Sequence, residues 1–169
     1  MTRKAVSLLV VLCMVSLHAL HAQDYNKGLG IRLGGHSSGF TFRGFTNENT
    51  ALEGILSFGH KSFFITGLYE KFKPIENAEG LTWFYGGGVH IGFFKTGGTY
   101  YVYKNKGNHV YVVRDGESKL VPGVDFIIGM DYKFNNAPLN LGLDMKPFMD
   151  FIDGVEIYFD AALSFRFVF

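Results

Sequence analysis

At 169 residues the chain is long enough for one domain and too short for two comfortable ones. Its 16 basic side chains against 15 acidic ones leave no cationic surplus for a phosphate backbone, which argues against nucleic acid as a partner. A single cysteine excludes an internal disulfide framework and a thiolate metal site.

The first element is a targeting segment. Arg3 and Lys4 precede an apolar run from Ala5 to Leu17, and Ala22 places a small residue before Gln23. The run is shorter than the about 20 apolar residues that a membrane-spanning helix takes, so residues 1–22 read as a cleaved secretory signal peptide, with Ala19 as the second choice of cleavage site. Cys13 follows Val10, Val11 and Leu12 rather than a small residue, which argues against a lipid attached there. Without the leader the single domain is 23–169, has no cysteine, and carries 14 basic groups against 15 acidic ones. No long apolar run remains in it, so its aromatic side chains and 22 glycines belong to strands and turns.

Apolar and polar residues then alternate at period two, the mark of strands with unlike faces. Leu29, Ile31 and Leu33 oppose Arg32 and Gly34, and Phe40 and Phe42 oppose Thr41 and Arg43. Leu52, Leu56 and Phe58 oppose Glu53 and Ser57, and Phe63, Ile65 and Tyr69 oppose Thr66 and Glu70. The pattern strengthens downstream. Leu81, Trp83, Tyr85, Val89, Ile91 and Phe93 oppose Thr82, Phe84, Gly86, Gly88, His90 and Gly92. Val124, Phe126, Ile128, Met130, Tyr132 and Phe134 oppose Asp125, Ile127, Gly129, Asp131 and Lys133. Leu139, Leu141, Leu143 and Met145 oppose Asn140, Gly142, Asp144 and Lys146 before Asp153-Gly154 turns the chain. In the last stretch Val155, Ile157, Phe159, Ala161, Leu163, Phe165, Phe167 and Phe169 face away from Glu156, Tyr158, Asp160, Ser164 and Arg166. Eight such strands of about ten residues, the length a tilted membrane strand takes, predict an all-β, antiparallel up-and-down transmembrane barrel.

The composition of the two faces says which one is inside. Gly30, Gly34, Gly86, Gly88, Gly92, Gly129 and Gly142 recur on the polar face, which is therefore poor in side-chain volume, as a narrow eight-stranded interior requires. The apolar face carries large side chains and almost no lysine, so it is expected to meet lipid. The lumen would then hold Arg32, Arg43, Lys133, Lys146 and Arg166 together with Glu53, Glu70, Asp125, Asp131, Asp144, Glu156 and Asp160. Confined charges of both signs must pair, which predicts a plug of ion pairs rather than an open pore. The competing reading is a secreted lipocalin-like carrier with the apolar face turned inward.

An even number of strands puts both termini on one side, taken as periplasmic. Residues 46–50, 74–80 and 135–138 are then periplasmic turns, and 36–39, 60–61, 96–121 and 150–154 are outer connections. Within the longest of these, 99–103 and 109–113 flank a turn at 104–108 and predict a hairpin. Its Tyr100, Tyr101, Tyr103 and Tyr111 either extend the neighbouring strands into an interfacial aromatic belt or offer a recognition edge for a surface ligand, a polysaccharide or an added strand.

These features resemble small eight-stranded outer-membrane β-barrel proteins of the OmpX/OmpA-barrel type. The stretches Ala51-Leu52-Glu53-Gly54-Ile55-Leu56, Thr66-Gly67-Leu68-Tyr69-Glu70 and Leu143-Asp144-Met145-Lys146-Pro147 look more particularly like uncharacterised Bacteroidetes outer-membrane barrel proteins. The resemblance covers Gly28 to Phe169. It implies a monomer in the bacterial outer membrane, with outer-membrane lipid and the barrel-assembly machinery as partners. The carboxy-terminal signal read by that machinery would fall on Leu163, Phe165, Phe167 and Phe169. The short first and second outer connections depart from OmpX, whose sheet protrudes through several strands, and this weakens transfer of an adhesion role.

Some eight-stranded outer-membrane barrels are lipid A acyltransferases or deacylases, and an enzyme of that kind would use His36 with Ser37 and Ser38, His60 with Ser62, or His109 here. A nucleophile and its base need hydrogen-bond reach, whereas adjacent residues on a strand point to opposite faces. The reading is therefore a non-enzymatic, envelope-structural or surface-interaction protein without a cofactor, in which His90 joins the lumen ions. No His or carboxylate cluster has metal-ligand spacing, and no phosphate-binding loop is present.

Overall fold

The computed structural model describes residues 26–35, 38–59, 62–94, 99–104, 107–112, 119–151 and 154–169, with the backbone alone at 94, 99–104, 107–112 and 119. The expected signal peptide, 1–22, lies outside the described residues. In chain order the strands are β1 (Lys27–Gly34), β2 (Ser38–Asn47), β3 (Thr50–Gly59), β4 (Ser62–Pro74), β5 (Leu81–Phe94), β6 (Thr99–Lys104), β7 (Gly107–Val112), β8 (Lys119–Lys133), β9 (Leu139–Phe151) and β10 (Val155–Val168). Eight of them close an antiparallel barrel in the order β1-β10-β9-β8-β5-β4-β3-β2. The meander pattern and the strand number both agree with the alternation in the sequence. Among the described residues strands β6 and β7 pair with each other as a two-stranded sheet, in the register Tyr100↔Tyr111 and Val102↔His109.

Closure joins the two ends of the chain. Gly28 to Gly34 pair with Val168 to Ala162, and the seam is finished by Lys27 N–H to Phe169 O at 3.1 Å and Phe169 N–H to Lys27 O at 2.9 Å. The turns at this end are tied to the ends of neighbouring strands: Val168 N–H donates to Pro138 O at 3.0 Å, Lys133 N–H to Gly80 O at 2.9 Å, and Phe72 N–H to Asn49 O at 2.8 Å. Gly80 has φ 78°, a left-handed conformation that costs glycine nothing, and a Cβ there would also lie 2.6 Å from Lys133 O. One expected connection is shifted, because β9 runs on to Phe151 and draws Asp150 into the lumen, where it is 1 % exposed.

The wall is inside out relative to a soluble domain. Outward positions hold Phe159 at 68 % exposure, Ile157 and Val89 at 62 %, and Leu163 at 52 %, while Arg32, Glu70 and Ser164 are fully buried. Among the described residues the outward positions of the barrel strands carry three charged side chains, Lys27, Lys71 and Lys73, all at the end that holds the termini. The interior is not uniformly polar. Ala51, Ile55, Leu68, Phe72, Phe84 and Ile127 form a buried apolar cluster on the β3–β4–β5–β8 wall, with Phe45 against it. The β9–β10–β1 wall opposite supplies mainly ions and amides.

Glycines on the inner face make room for these side chains. A Cβ at Gly129 would stand 2.6 Å from Phe84 Cζ and 2.5 Å from Leu143 O, whereas one at the outward Gly67 would meet nothing within 4 Å. Gly129→Val is therefore expected to lower stability by about 1–3 kcal/mol through overpacking, and Gly67→Ala to leave it nearly unchanged. Urea unfolding of the refolded barrel followed by tryptophan fluorescence measures both.

Candidate functional site

The functional groups that the sequence places on the polar face converge in the lumen as three ion clusters. The largest crosses the barrel near the end that holds the termini. Arg43 on β2 donates from Nη2 to Glu53 Oε2 at 2.7 Å and from Nη1 to Asp131 Oδ1 at 2.9 Å, reaching from β2 to β8. Arg166 on β10 donates from Nη2 to Glu53 Oε1 at 2.7 Å and from Nη1 to Asn140 Oδ1 at 3.3 Å, and stands 3.3 Å from Asp131. Thr41 donates to Glu53, and Asn140 to Asp131. The Arg43 guanidinium lies against the stacked Phe72 and Phe84 rings, 5.0 and 4.9 Å from their centroids, so the apolar cluster also positions the charge.

Glu70 completes this cluster without a hydrogen bond. Its Oε2 lies 2.9 Å from Arg43 Nε, but that N–H is directed to Glu53 Oε2 at 3.1 Å, and neither Glu70 oxygen accepts a hydrogen bond. Three carboxyl groups thus face two guanidinium groups.

The second cluster is Arg32, which bridges Asp144 on β9 at 2.5 Å and Asp160 on β10 at 2.9 Å. The third lies toward the hairpin end. His90 on β5 faces Asp125 Oδ2 through Nδ1 at 2.7 Å and Asp150 Oδ1 through Nε2 at 2.9 Å, and Lys146 donates to the other oxygen of Asp125. Phe64 and Phe148 meet the imidazole edge-on, and Lys146 Nζ sits 4.6 Å from the Phe148 centroid. A Cβ at Gly123 would fall 2.2 Å from His90 Cε1, so the missing side chain is what lets the ring lie there.

Of the expected lumen ions, Arg32, Arg43, Glu53, Glu70, Asp125, Asp131, Asp144, Lys146, Asp160 and Arg166 are buried together. Lys133 and Glu156 stand half-buried at opposite mouths of the barrel. Asp150 joins them although its neighbours in sequence suggested a connection, because its inward parity on β9 outweighs the turn signal of Asp153-Gly154. Thr41 and Asn140 are further members, readable only as polar residues on the inner face. Leu163, Phe165 and Phe169 lie exposed on the outer side of the closing strand, with Phe167 half-buried beside them.

The residues considered for catalysis do not assemble into a dyad among the described residues. His36, Ser37 and His60 lie outside them, and His109 is described in its backbone alone. Ser38 Oγ donates to Gly34 O at 2.7 Å and accepts from Gly34 N–H at 3.0 Å, the bonds of a turn. His90 has both ring nitrogens committed to carboxylates, leaving none to act as a general base on a hydroxyl. No group of three His, Cys, Asp or Glu side chains among the described residues is placed to hold a metal ion.

Below the crossing cluster the barrel widens into an open bowl of about 980 Å³ at the end that holds the termini, walled by the 46–49 and 75–80 turns and floored by Phe72, Asp131 and Asn140. A void of about 20 Å³ beside Arg43, Asp131, Asn140 and Arg166 has room for one water. Among the described residues the guanidinium and carboxylate groups of the crossing cluster stand between this bowl and the rest of the lumen. No protein-family model matches the chain, and no curated protein is similar to it.

Removing one partner of this network is expected to cost far more than removing the surplus acid. Arg43→Met leaves Glu53, Glu70 and Asp131 short of a cation and is expected to destabilise the barrel by about 3–5 kcal/mol, whereas Glu70→Gln balances the cluster and is expected to change stability by less than about 1 kcal/mol. Denaturant titration of the folded barrel distinguishes the two.

Proposed function

We propose that this chain is an integral β-barrel of the bacterial outer membrane, of the OmpX/OmpA-barrel type, with both termini periplasmic and a non-enzymatic role in envelope structure or surface interaction. The observation that supports it is the distribution of charge over the barrel. Every outward position between the two ends is apolar or glycine along a complete circuit of eight strands, while the ions are buried. In water such a surface exposes an apolar area far beyond the few hundred Å² that soluble monomers leave uncovered. In hydrocarbon it costs nothing, and the closed ladder leaves no edge unpaired. A lipocalin-like carrier would need the opposite arrangement, an apolar lumen with room for its ligand.

The hairpin at the far end supports the surface-interaction part of the reading. Among the described residues it is a two-stranded sheet with no partner strand from the barrel, and its sequence brings four tyrosines onto a short ribbon. A binding role of this kind predicts that deleting 99–113 leaves the barrel inserted, as measured by resistance of the membrane fraction to urea extraction, and removes surface-ligand binding. Loss of insertion would make the hairpin structural.

Met145, 57 % exposed at mid-strand on β9, separates membrane from water by the sign of one substitution. In a bilayer Met145→Arg is expected to cost about 2–4 kcal/mol near the midplane. On a solvated barrel the same change falls within about 0.5 kcal/mol. Folding into lipid vesicles across a denaturant series gives the number, and a near-zero value would overturn the membrane assignment.

A further inference from the structure

The outward charges are few and one-sided, and that asymmetry has a chemical consequence. Lys71 and Lys73 are two residues apart on β4, so their side chains leave the same face about 7 Å apart. Their register partners on β5 are Tyr85 and Trp83 respectively. The Trp83 and Tyr85 rings stack at 5.3 Å, and Lys73 Nζ lies 5.5 and 5.9 Å from their centroids. Apart from these ring contacts neither ammonium group has an ionic partner among the described residues, and both lysines are exposed. The carboxylates of this end, Glu48, Glu76 and Glu79, sit in the turns beyond the strand ends, and Glu79 accepts a hydrogen bond from Asn135.

We infer that Lys71, Lys73, Trp83 and Tyr85 form a site for the phosphate headgroup of an anionic phospholipid in the leaflet at the end that holds the termini. The inference rests on the membrane reading above and adds to it a headgroup class and a place. Two ammonium groups without an ionic partner among the described residues, at the margin of a wall whose one other outward charge is Lys27, supply the positive charge. The indole and phenol rings give the amphipathic floor that sits at headgroup level, where one end of the ring is wet and the other lies in the acyl boundary. The third outward lysine, Lys27, lies on β1, separated from β4 by two intervening strands, and does not share this block.

Trp83 is the single tryptophan of the chain, so the protein carries its own reporter at the site. The full-length barrel is inserted into phosphatidylcholine vesicles containing phosphatidylglycerol, with either the phosphatidylcholine or the phosphatidylglycerol brominated, and quenching of Trp83 is compared per mole of brominated lipid. The expected result is stronger quenching by brominated phosphatidylglycerol, with the preference falling about fivefold for each of Lys71→Gln and Lys73→Gln and shrinking at high salt, since each basic group near an anionic surface contributes about that factor. Lys27→Gln is expected to leave the preference intact. Equal quenching by the two lipids, or a preference that survives the double substitution or falls as much with Lys27→Gln, overturns the site while the membrane reading stands. Absence of quenching by either lipid overturns both.

Discussion

The structure depends on one constraint, that charges taken out of water must be paired within a closed wall. Arg43 pairs with Glu53 on the adjacent strand and reaches across the lumen to Asp131, and Arg166 reaches across to Glu53, so two of these three bonds span strands that are not neighbours in the barrel. Isolated in a low-dielectric interior, any one of these groups would be costly, and together they form a network that tolerates little loss. The wall makes the pairing possible by closing the ladder, so that the strands have no edge to satisfy elsewhere.

The interior divides its labour between two kinds of side chain. The β9–β10–β1 wall presents acids and bases, while Phe72 and Phe84 on β4 and β5 hold the planar face of Arg43. Small residues on the inner face, such as Gly123 and Gly129, leave the volume that the His90 and Phe84 rings occupy. Among the described residues an open bowl lies at one mouth, with space for a single water beside Arg43, Asp131, Asn140 and Arg166.

The two ends differ in chemistry. At the end that holds the termini the turns are bound to neighbouring strand ends through backbone hydrogen bonds, and Lys73 stands beside stacked aromatic rings on the outer wall. At the other end the wall gives way to a separate hairpin between β5 and β8.

The period-two alternation was enough to identify the strands, their inward and outward faces, and the membership of most of the lumen, because parity along a strand is a local property. Phe159, Leu163 and Phe165 are outward, and Asp160, Ser164 and Arg166 inward, for no reason beyond their position in that count. Partner choice was not legible. Arg43 meets Glu53 as its register partner on the adjacent strand, but that Arg166 joins them depends on strands brought face to face across the lumen, and that Asp150 belongs to His90 depends on the length of β9 and the register between β8 and β9. Ile55, Leu68 and Phe72 share the inward parity of Glu53, Thr66 and Glu70, but their gathering into one apolar cluster depends on β3, β4, β5 and β8 lying side by side. The sequence by itself determined which side of the wall each residue takes; only the closed barrel, by setting stagger and distance between remote strands, decided which charge meets which.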